Sequence, residues 1–333
     1  MTAPSQGRHP TGTATSLAAL YAPQIKGKII LTTGVSPSGL GAAFVKVIAK
    51  WEPSVLILAG RNASKVQATA KGLVEEGSLS PSQVRTLEVD LASLGAVRAA
   101  ATTINNWKDI PSIDILVNNA GIMAVEHAVS PDGYESQLAT NHLGPFLFTN
   151  LIMGKVLASA APRIVMVSSD GHRLCPFRFH DYNFRDGETY NRWQAYGQSK
   201  SANMLMALSL AQKLGLRHNL LAFSLHPGVI NTALGDHLDW NTAFPALLEI
   251  DRFFGNPQAW MTSFPFVSPD QGAATHVFAA FDPDISEHNG AYLQDCHIAD
   301  PWTETVKPWA TSAVEAEKLW KMSEQLVGQK FDY

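Results

Sequence analysis

Two cysteines, Cys175 and Cys296, are all that this 333-residue chain carries, and they form no C-x-x-C pair. That excludes a disulfide framework and favours a reduced, intracellular setting, so a cytoplasmic location is expected. The 11 histidines include no H-E-x-x-H and no tight cluster, so no metal site is expected. An excess of positive charge is also missing. With 25 Lys and Arg against 29 Asp and Glu, the net charge is −4. A basic field for nucleic acid or an anionic membrane is thereby excluded. No run approaches the ~18 uninterrupted apolar residues of a membrane span, so no transmembrane segment is expected. The N-terminal "MTAPSQGRHPTGTATS" lacks the basic start and apolar core of a signal peptide. Its Pro, Ser, Thr and Gly content reads as a flexible arm over residues 1–26. With 46% hydrophobic and 16% charged residues, the remainder is ordinary core-forming material.

From residue 27 onward, apolar β-branched runs alternate with longer amphipathic stretches. "KIILTTG", "SVLILAG", "VRTLEVD", "DILVNNAG", "RIVMVSS" and "NLLAFSLHPG" read as strands. Helices are expected at 39–51, 62–76, 93–108, around 135–159 and at 196–215. Such βα alternation specifies an α/β fold, a doubly wound parallel sheet buried on both faces. No repeat and no linker divides the chain, so residues 27–333 read as a single domain. Only 233–268 breaks the alternation. It holds Trp240, Phe244, Phe253, Phe254, Trp260, Phe264 and Phe266, and reads as an inserted helical cap. Prolines 245, 257 and 265 are expected to divide the cap into short helices. Residues 309–326 read as an amphipathic surface helix.

Ligands of such a sheet sit beyond the carboxyl ends of its strands. Five strand ends here carry polar or glycine-rich tails: "TTGVSPSGLG", "VDLAS", "NNAG", "VSSDGH" and "HPGVINT". The first has glycines at 34, 39 and 41, a spacing that fits neither G-x-G-x-x-G nor a P-loop, and the Walker lysine is absent. Farther on, Tyr196 and Lys200 of "AYGQSK" are four residues apart and share a helix face. A free phenol, with a pKa near ~10, is too weak an acid for neutral pH. An ammonium one turn away is expected to lower that pKa, which suits general acid/base work on a substrate oxygen.

Taken in order, these pieces resemble the short-chain dehydrogenase/reductase superfamily over residues 27–232. The family pattern T-G-x-x-x-G-x-G, D, N-N-A-G, N, S, Y-x-x-x-K and P-G falls on Thr33–Gly41, Asp90, Asn118–Gly121, Asn141, Ser169, Tyr196/Lys200 and Pro227/Gly228. "AGRN", "NHLGPF", "VSSDGH" and "YGQSKSAN" look most like the retinol-dehydrogenase-like and WW-domain-oxidoreductase-like branch, fungal members included. The resemblance implies a Rossmann-like fold and a nicotinamide-dependent oxidoreductase acting on an alcohol/carbonyl pair. Tyr196 would be the acid/base and Ser169, rather than Ser168, would hold the substrate oxygen. Lys200 would lower the tyrosine pKa and bind ribose, and Asn141 would hold a water linking Lys200 to solvent. The cofactor-binding set is Gly34, Ser36, Gly39, Leu40 and Gly41, with Asp90 and Leu91 by the adenine, Asn118, Ala120 and Gly121 along adenosine and ribose, and Val229 and Thr232 by the carboxamide or pyrophosphate. Asp90 as a plain helix cap is the alternative. The loop has four residues between Gly34 and Gly39, where the family usually has three, and the extra one is placed in Ser36-Pro37-Ser38. The same fold also hosts isomerisation, dehydration, cyclisation and non-catalytic NADP sensing.

Cofactor choice is read at the end of the second strand, where an acid would select NAD(H). Here that end offers Ala59, Gly60 and Arg61, with Lys65 one turn on. A basic pair suits a 2′-phosphate, so NADP(H) is expected over NAD(H). The cap has Arg252 as its only Arg or Lys, which favours a bulky, neutral, apolar carbonyl or alcohol such as a polyketide, terpenoid, steroid or retinoid-like molecule. Packing of the cap aromatics against the body or a partner subunit is the alternative, and a homo-oligomer is compatible with these residues.

Overall fold

Parallel strands run through the centre of the computed structural model, which describes residues 12–256 and 266–333. They are β1 (Ile29–Thr33), β2 (Val55–Gly60), β3 (Val84–Glu88), β4 (Ile115–Asn118), β5 (Arg163–Val167) and β6 (Leu221–His226). β7 (Val229–Ile230) pairs in parallel with β8 (Phe266–Val267) beside the main sheet. β9 (Tyr292–Gln294) and β10 (His297–Ile298) complete one edge. The main sheet has eight strands in the order β10-β9-β6-β5-β4-β1-β2-β3, all parallel except the β9–β10 hairpin. The order reverses between β1 and β4, and that is where such sheets open a crevice.

Strand alternation sends successive side chains to opposite faces. Leu31, Ile57, Leu116 and Ile164 enter one core with the helices Leu94–Asn106, Gly144–Leu151, Arg192–His218 and Ala313–Val327. Ile30, Leu56, Leu58, Val117 and Val165 enter the other with Leu40–Ile48 and Ala274–Phe281. The doubly wound architecture is therefore the one the apolar runs specify.

Three expectations need correction. The arm does not extend to residue 26. Residues 14–20 and 22–25 are helical, and Ala14, Leu17, Ala18, Tyr21 and Ile25 are buried in the second core. Thr13 and Ser16 form a capping box, Thr15 bonds Asp270 at 2.9 Å, and the Tyr21 hydroxyl donates to Asp282. Residues 1–11 lie outside the described residues. Pro245 does not break the cap, because the helix Trp240–Phe253 runs through it. Pro257, Trp260, Phe264 and Pro265 lie outside the described residues. The segment around 135–159 is not one regular helix. It is a short α-turn, a π-helical turn Ala139–Leu143, and two further helices. Among the described residues, no helix is long and apolar enough to cross a membrane.

Candidate active site

A groove of about 840 Å³ runs along the carboxyl ends of the strands, from the glycine loop to Tyr196 and on to the cap. Its floor at β1 depends on missing side chains. Gly34 has φ +74°, and a Cβ there would stand 2.6 Å from the Ala120 Cα. A Cβ on Gly41 would meet the Gly34 carbonyl oxygen and Asn119 Nδ2, each at 2.6 Å. The helix Leu40–Ile48 can therefore seat its first turn on the loop. Gly39 caps it without a side-chain bond, leaving its first amides for an anion. The extra loop residue is absorbed as expected, in a tight turn closed by Gly39 N donating to Ser36 O at 3.0 Å, with Ser38 at φ +66°.

Asn119 holds this loop to β4. Its Nδ2 donates to the Thr33 and Gly34 carbonyls at 2.9 and 3.0 Å, while Asn119 N and Ala120 N donate to Thr33 Oγ1, both at 3.1 Å. Ser36, Gly39, Leu40, Arg61, Lys65, Asp90, Leu91, Ala120, Gly121, Val229 and Thr232 all line the groove. Three expected residues do not. Asn118 is buried and turned into the helix layer, its Nδ2 donating to Thr149 Oγ1 at 2.9 Å. Gly41 is a packing contact beneath the loop, and Asn141 lies behind the wall. Asp90 lines the groove and accepts from Ala92 N at 3.0 Å, whereas the helix that follows is capped by Ser93, so the reading of Asp90 as a plain helix cap is corrected. Arg61 and Lys65 are exposed and have no ion-pair partner among the described residues. Uncapped amides, a cradle a Cβ would fill and two free cations together fit a phosphorylated dinucleotide.

At the far end, Ser169, Tyr196 and Lys200 converge. Ser168 is not their competitor, because its Oγ donates to the Lys200 carbonyl at 2.8 Å and locks β5 to the long helix. Asn191 caps that helix by accepting from Trp193 N and Gln194 N, so it starts at Arg192. Tyr196 is 6% exposed, with the Ser169 side chain beside its phenol. A Cβ on Gly171 would come within 2.6 Å of its ring. Lys200 Nζ donates to the Val167 carbonyl at 3.0 Å and lies 5.6 Å from the Tyr196 ring centroid. Burial pushes the Tyr196 phenol up to about 12, against a lowering by Ser169, and pulls Lys200 down to about 8. The expectation that Lys200 lowers the Tyr196 pKa is thus corrected. Desolvation dominates both groups.

Asn141 sits on the π-helical turn. Its Oδ1 accepts from Ile122 N at 2.8 Å, and its Nδ2 donates to Ile122 O and Ser199 Oγ, both at 2.9 Å. It fixes the backbone at Gly121, where a Cβ would be 3.1 Å from Asn141 Oδ1 and 3.4 Å from Lys200 Nζ.

The depressed Lys200 pKa has a stability consequence. Between about 8 and the ordinary 10.5 the unfolded chain binds a proton that the folded one does not. Stability from this group therefore rises with pH across that window. Relative to Lys200→Met, the cofactor-free parent should gain on the order of 3 kcal/mol from pH 7 to 10.5. Urea unfolding of both proteins at the two pH values measures it, and a constant difference would refute the shift.

The cap helix Trp240–Phe253 packs Ala243 and Leu247 on Trp193 and Leu174, and Trp193 Nε1 donates to the Ala243 carbonyl at 3.1 Å. Leu234, Leu238, Trp240, Leu247 and Phe266 line the groove. Among the described residues, the other cap aromatics do not. Phe244 packs in the small cluster, Phe254 stacks edge-on to Trp309, and Phe253 is exposed. Sequence reasoning passed over Asn119, Asn62, Trp193 and His226, which also line the groove. Asn119 stood inside a quoted motif, and Asn62 carries a capping signal, accepting from Lys65 N at 3.0 Å. Trp193 and His226 carry no spacing signal.

Residues 28–183 match the family model for short chain dehydrogenase. The chain is 35% identical over 310 residues to Retinol dehydrogenase 14 of Mus musculus, across 91% of this chain and 86% of that protein. It is 35% identical over 315 residues to the short-chain dehydrogenase/reductase prx1 of Penicillium rubens, across 90% and 84%. A crystal structure of an uncharacterised Mycobacterium paratuberculosis protein superposes with TM-score 0.67 at 30% identity, covering 94% of this chain and 98% of that one. An Escherichia coli CFT073 short chain dehydrogenase complexed with NADPH superposes with TM-score 0.59 at 22% identity, covering 82% and 98%.

Proposed function

Because the chain belongs to the short-chain dehydrogenase/reductase family, we propose that it is an NADP(H)-dependent oxidoreductase that interconverts a carbonyl and an alcohol on a bulky apolar molecule. The observation that carries this is the convergence of Ser169, Tyr196 and Lys200 at the end of one groove. Its opposite end is the glycine loop with Arg61 and Lys65, and its cap side carries Leu234, Leu238, Trp240, Leu247 and Phe266 beside Asp236 and His237. A nicotinamide bound there supplies or accepts the hydride. Tyr196 donates its proton to the carbonyl oxygen in reduction and takes it back in oxidation. A phenol kept protonated by burial suits donation. Ser169 donates to the same oxygen and steadies its developing charge. Lys200, held by Val167, would bind ribose, and Asn141 keeps the adjoining backbone in place. Arg61 and Lys65 would pair with the 2′-phosphate. The likeness to the NADPH complex is one of fold, so the cofactor assignment rests on these two side chains. Two free, buried cysteines support a reduced, cytoplasmic location.

A non-catalytic sensor would not need the Ser169–Tyr196–Lys200 geometry, and nothing specific favours a redox-silent reaction. The test is loss of the reduced-nicotinamide absorbance band with a panel of small and large apolar ketones and aldehydes. Turnover of none of them would sink the reading. On the cap side, the groove has no Arg or Lys among the described residues. Trp240→Ala should therefore raise KM for large apolar ketones by about tenfold, the scale of one lost aromatic contact, and leave small ketones nearly unchanged. Equal effects on both would remove the cap from substrate recognition.

A further inference from the structure

We infer that the ion pair between Arg173 and Asp251 is a positioning device for Ser169, through which the seating of the cap sets the catalytic turn. The inference rests on the proposed role of Ser169 and deepens it. Arg173 belongs to the turn Asp170–Leu174, for which Ser169 is the N-cap, its Oγ accepting from Gly171 N at 2.9 Å. Asp251 belongs to the cap helix. Arg173 Nε and Nη2 donate to the two Asp251 carboxylate oxygens, each at 2.7 Å, in a forked contact. The two side chains are 5% and 0% exposed. The third donor, Nη1, reaches Asp170 Oδ2 at 3.1 Å. Asn256 Nδ2 adds a second tie, donating to the Arg173 and Asp251 carbonyls at 3.2 and 3.0 Å.

The neighbour of Arg173 closes the chain of contacts. His172 N donates to the Ser169 carbonyl at 3.1 Å, and His172 Nδ1 lies 2.9 Å from the same oxygen. The His172 Nε2 lies 3.2 Å from Lys307 N and so accepts, which leaves the proton on Nδ1 to donate to Ser169. Removing the Asp251 charge leaves a buried guanidinium with Asp170 as its charged partner in the turn and Thr305 Oγ1 at 3.5 Å. Arg173 then loses its fork to the cap helix and can move with the turn that fixes the Ser169 backbone.

The experiment compares the full-length parent with Asp251→Asn, Asp251→Glu and the uncharged double variant Arg173→Met/Asp251→Leu. The double variant replaces the pair by apolar groups and keeps the test readable if Asp251→Asn does not fold. Readouts are amide hydrogen exchange over 168–176, kcat and KM for a small ketone that does not reach the cap, and NADPH affinity. Asp251→Asn should speed exchange in the turn and lower kcat for the small ketone by about tenfold, the scale of a sub-ångström misplacement. KM and NADPH affinity should stay within about twofold, and Asp251→Glu should recover part of kcat. The double variant, which loses the fork to the cap helix, should also speed exchange in the turn. Unchanged exchange and unchanged small-ketone kcat in folded variants would overturn the inference. A parent that turns over no ketone sinks the redox reading instead, and the exchange comparison alone then judges the clamp.

Discussion

Tyr196→Phe should lower kcat by about 100-fold or more, with NADPH affinity changed by no more than about twofold. The substitution removes one hydroxyl and keeps the ring that fills the space beside Gly171. The fold is therefore not at issue, and thermal unfolding should show little change. What is lost is the proton donor itself. The partner left behind is Ser169, whose Oγ still accepts from Gly171 N at 2.9 Å and can polarise a carbonyl oxygen but is a poorer acid. Because the phenol is held near 12 by burial, the parent should reduce ketones well at neutral pH. Alcohol oxidation, which needs the phenolate, should rise with pH. A Tyr196→Phe protein with near-parental turnover would remove Tyr196 from the chemistry.

Replacing both Arg61 and Lys65 by alanine should weaken NADPH by about 100-fold and NADH by less than about threefold. Each charged hydrogen bond to a phosphate contributes about 1.5–3 kcal/mol, and the 2′-phosphate is present only in NADPH. The two side chains are exposed at the mouth of the groove beyond β2, where the chain itself offers Ala59, Gly60 and Arg61 and no acid. Arg61→Ala alone should carry the larger share, since a guanidinium can engage two phosphate oxygens at once. Titration by fluorescence separates the outcomes. Equal weakening of both cofactors would mean that the pair serves the loop rather than the phosphate.

The sheet was legible because its evidence is periodic. Runs such as "KIILTT" and "SVLILAG" admit one solution, a strand buried on both faces, and the polar tails then mark one rim. Residues at strand ends line the groove for the same reason, among them Asp90, Ala120, Gly121 and Ser169. Side-chain facing was not legible. Asn118 is the last residue of β4 and Asn119 the first beyond it, and composition does not say which of the two reaches the groove. The structure gives Asn118 to Thr149 and Asn119 to the loop. The pKa of Tyr196 was misjudged because spacing reports a neighbouring charge but not the depth at which the pair is buried. The N-terminal helix was missed on composition, although Thr13 with Ser16, and apolar side chains at 14, 17, 18, 21 and 25, carry a helix signature. The Arg173–Asp251 contact joins residues 78 apart and leaves no trace in local pattern.

The wide turn at Ala139–Leu143 gives the segment two phases. One additional residue there rotates everything before it by about 100° relative to everything after it. Gln137, ahead of the turn, answers to the Ala124 amide and Asn141 to the Ile122 backbone, while Gly144–Leu151 answers to the apolar layer beneath the sheet. A substitution that twists or resizes the latter half should be taken up at this dislocation before it reaches the Ile122 amide. Deleting a single residue from the turn would restore an ideal spiral and swing Asn141 away from Ser199. Length at this point is therefore a stricter constraint on the chain than the identity of most residues that follow it.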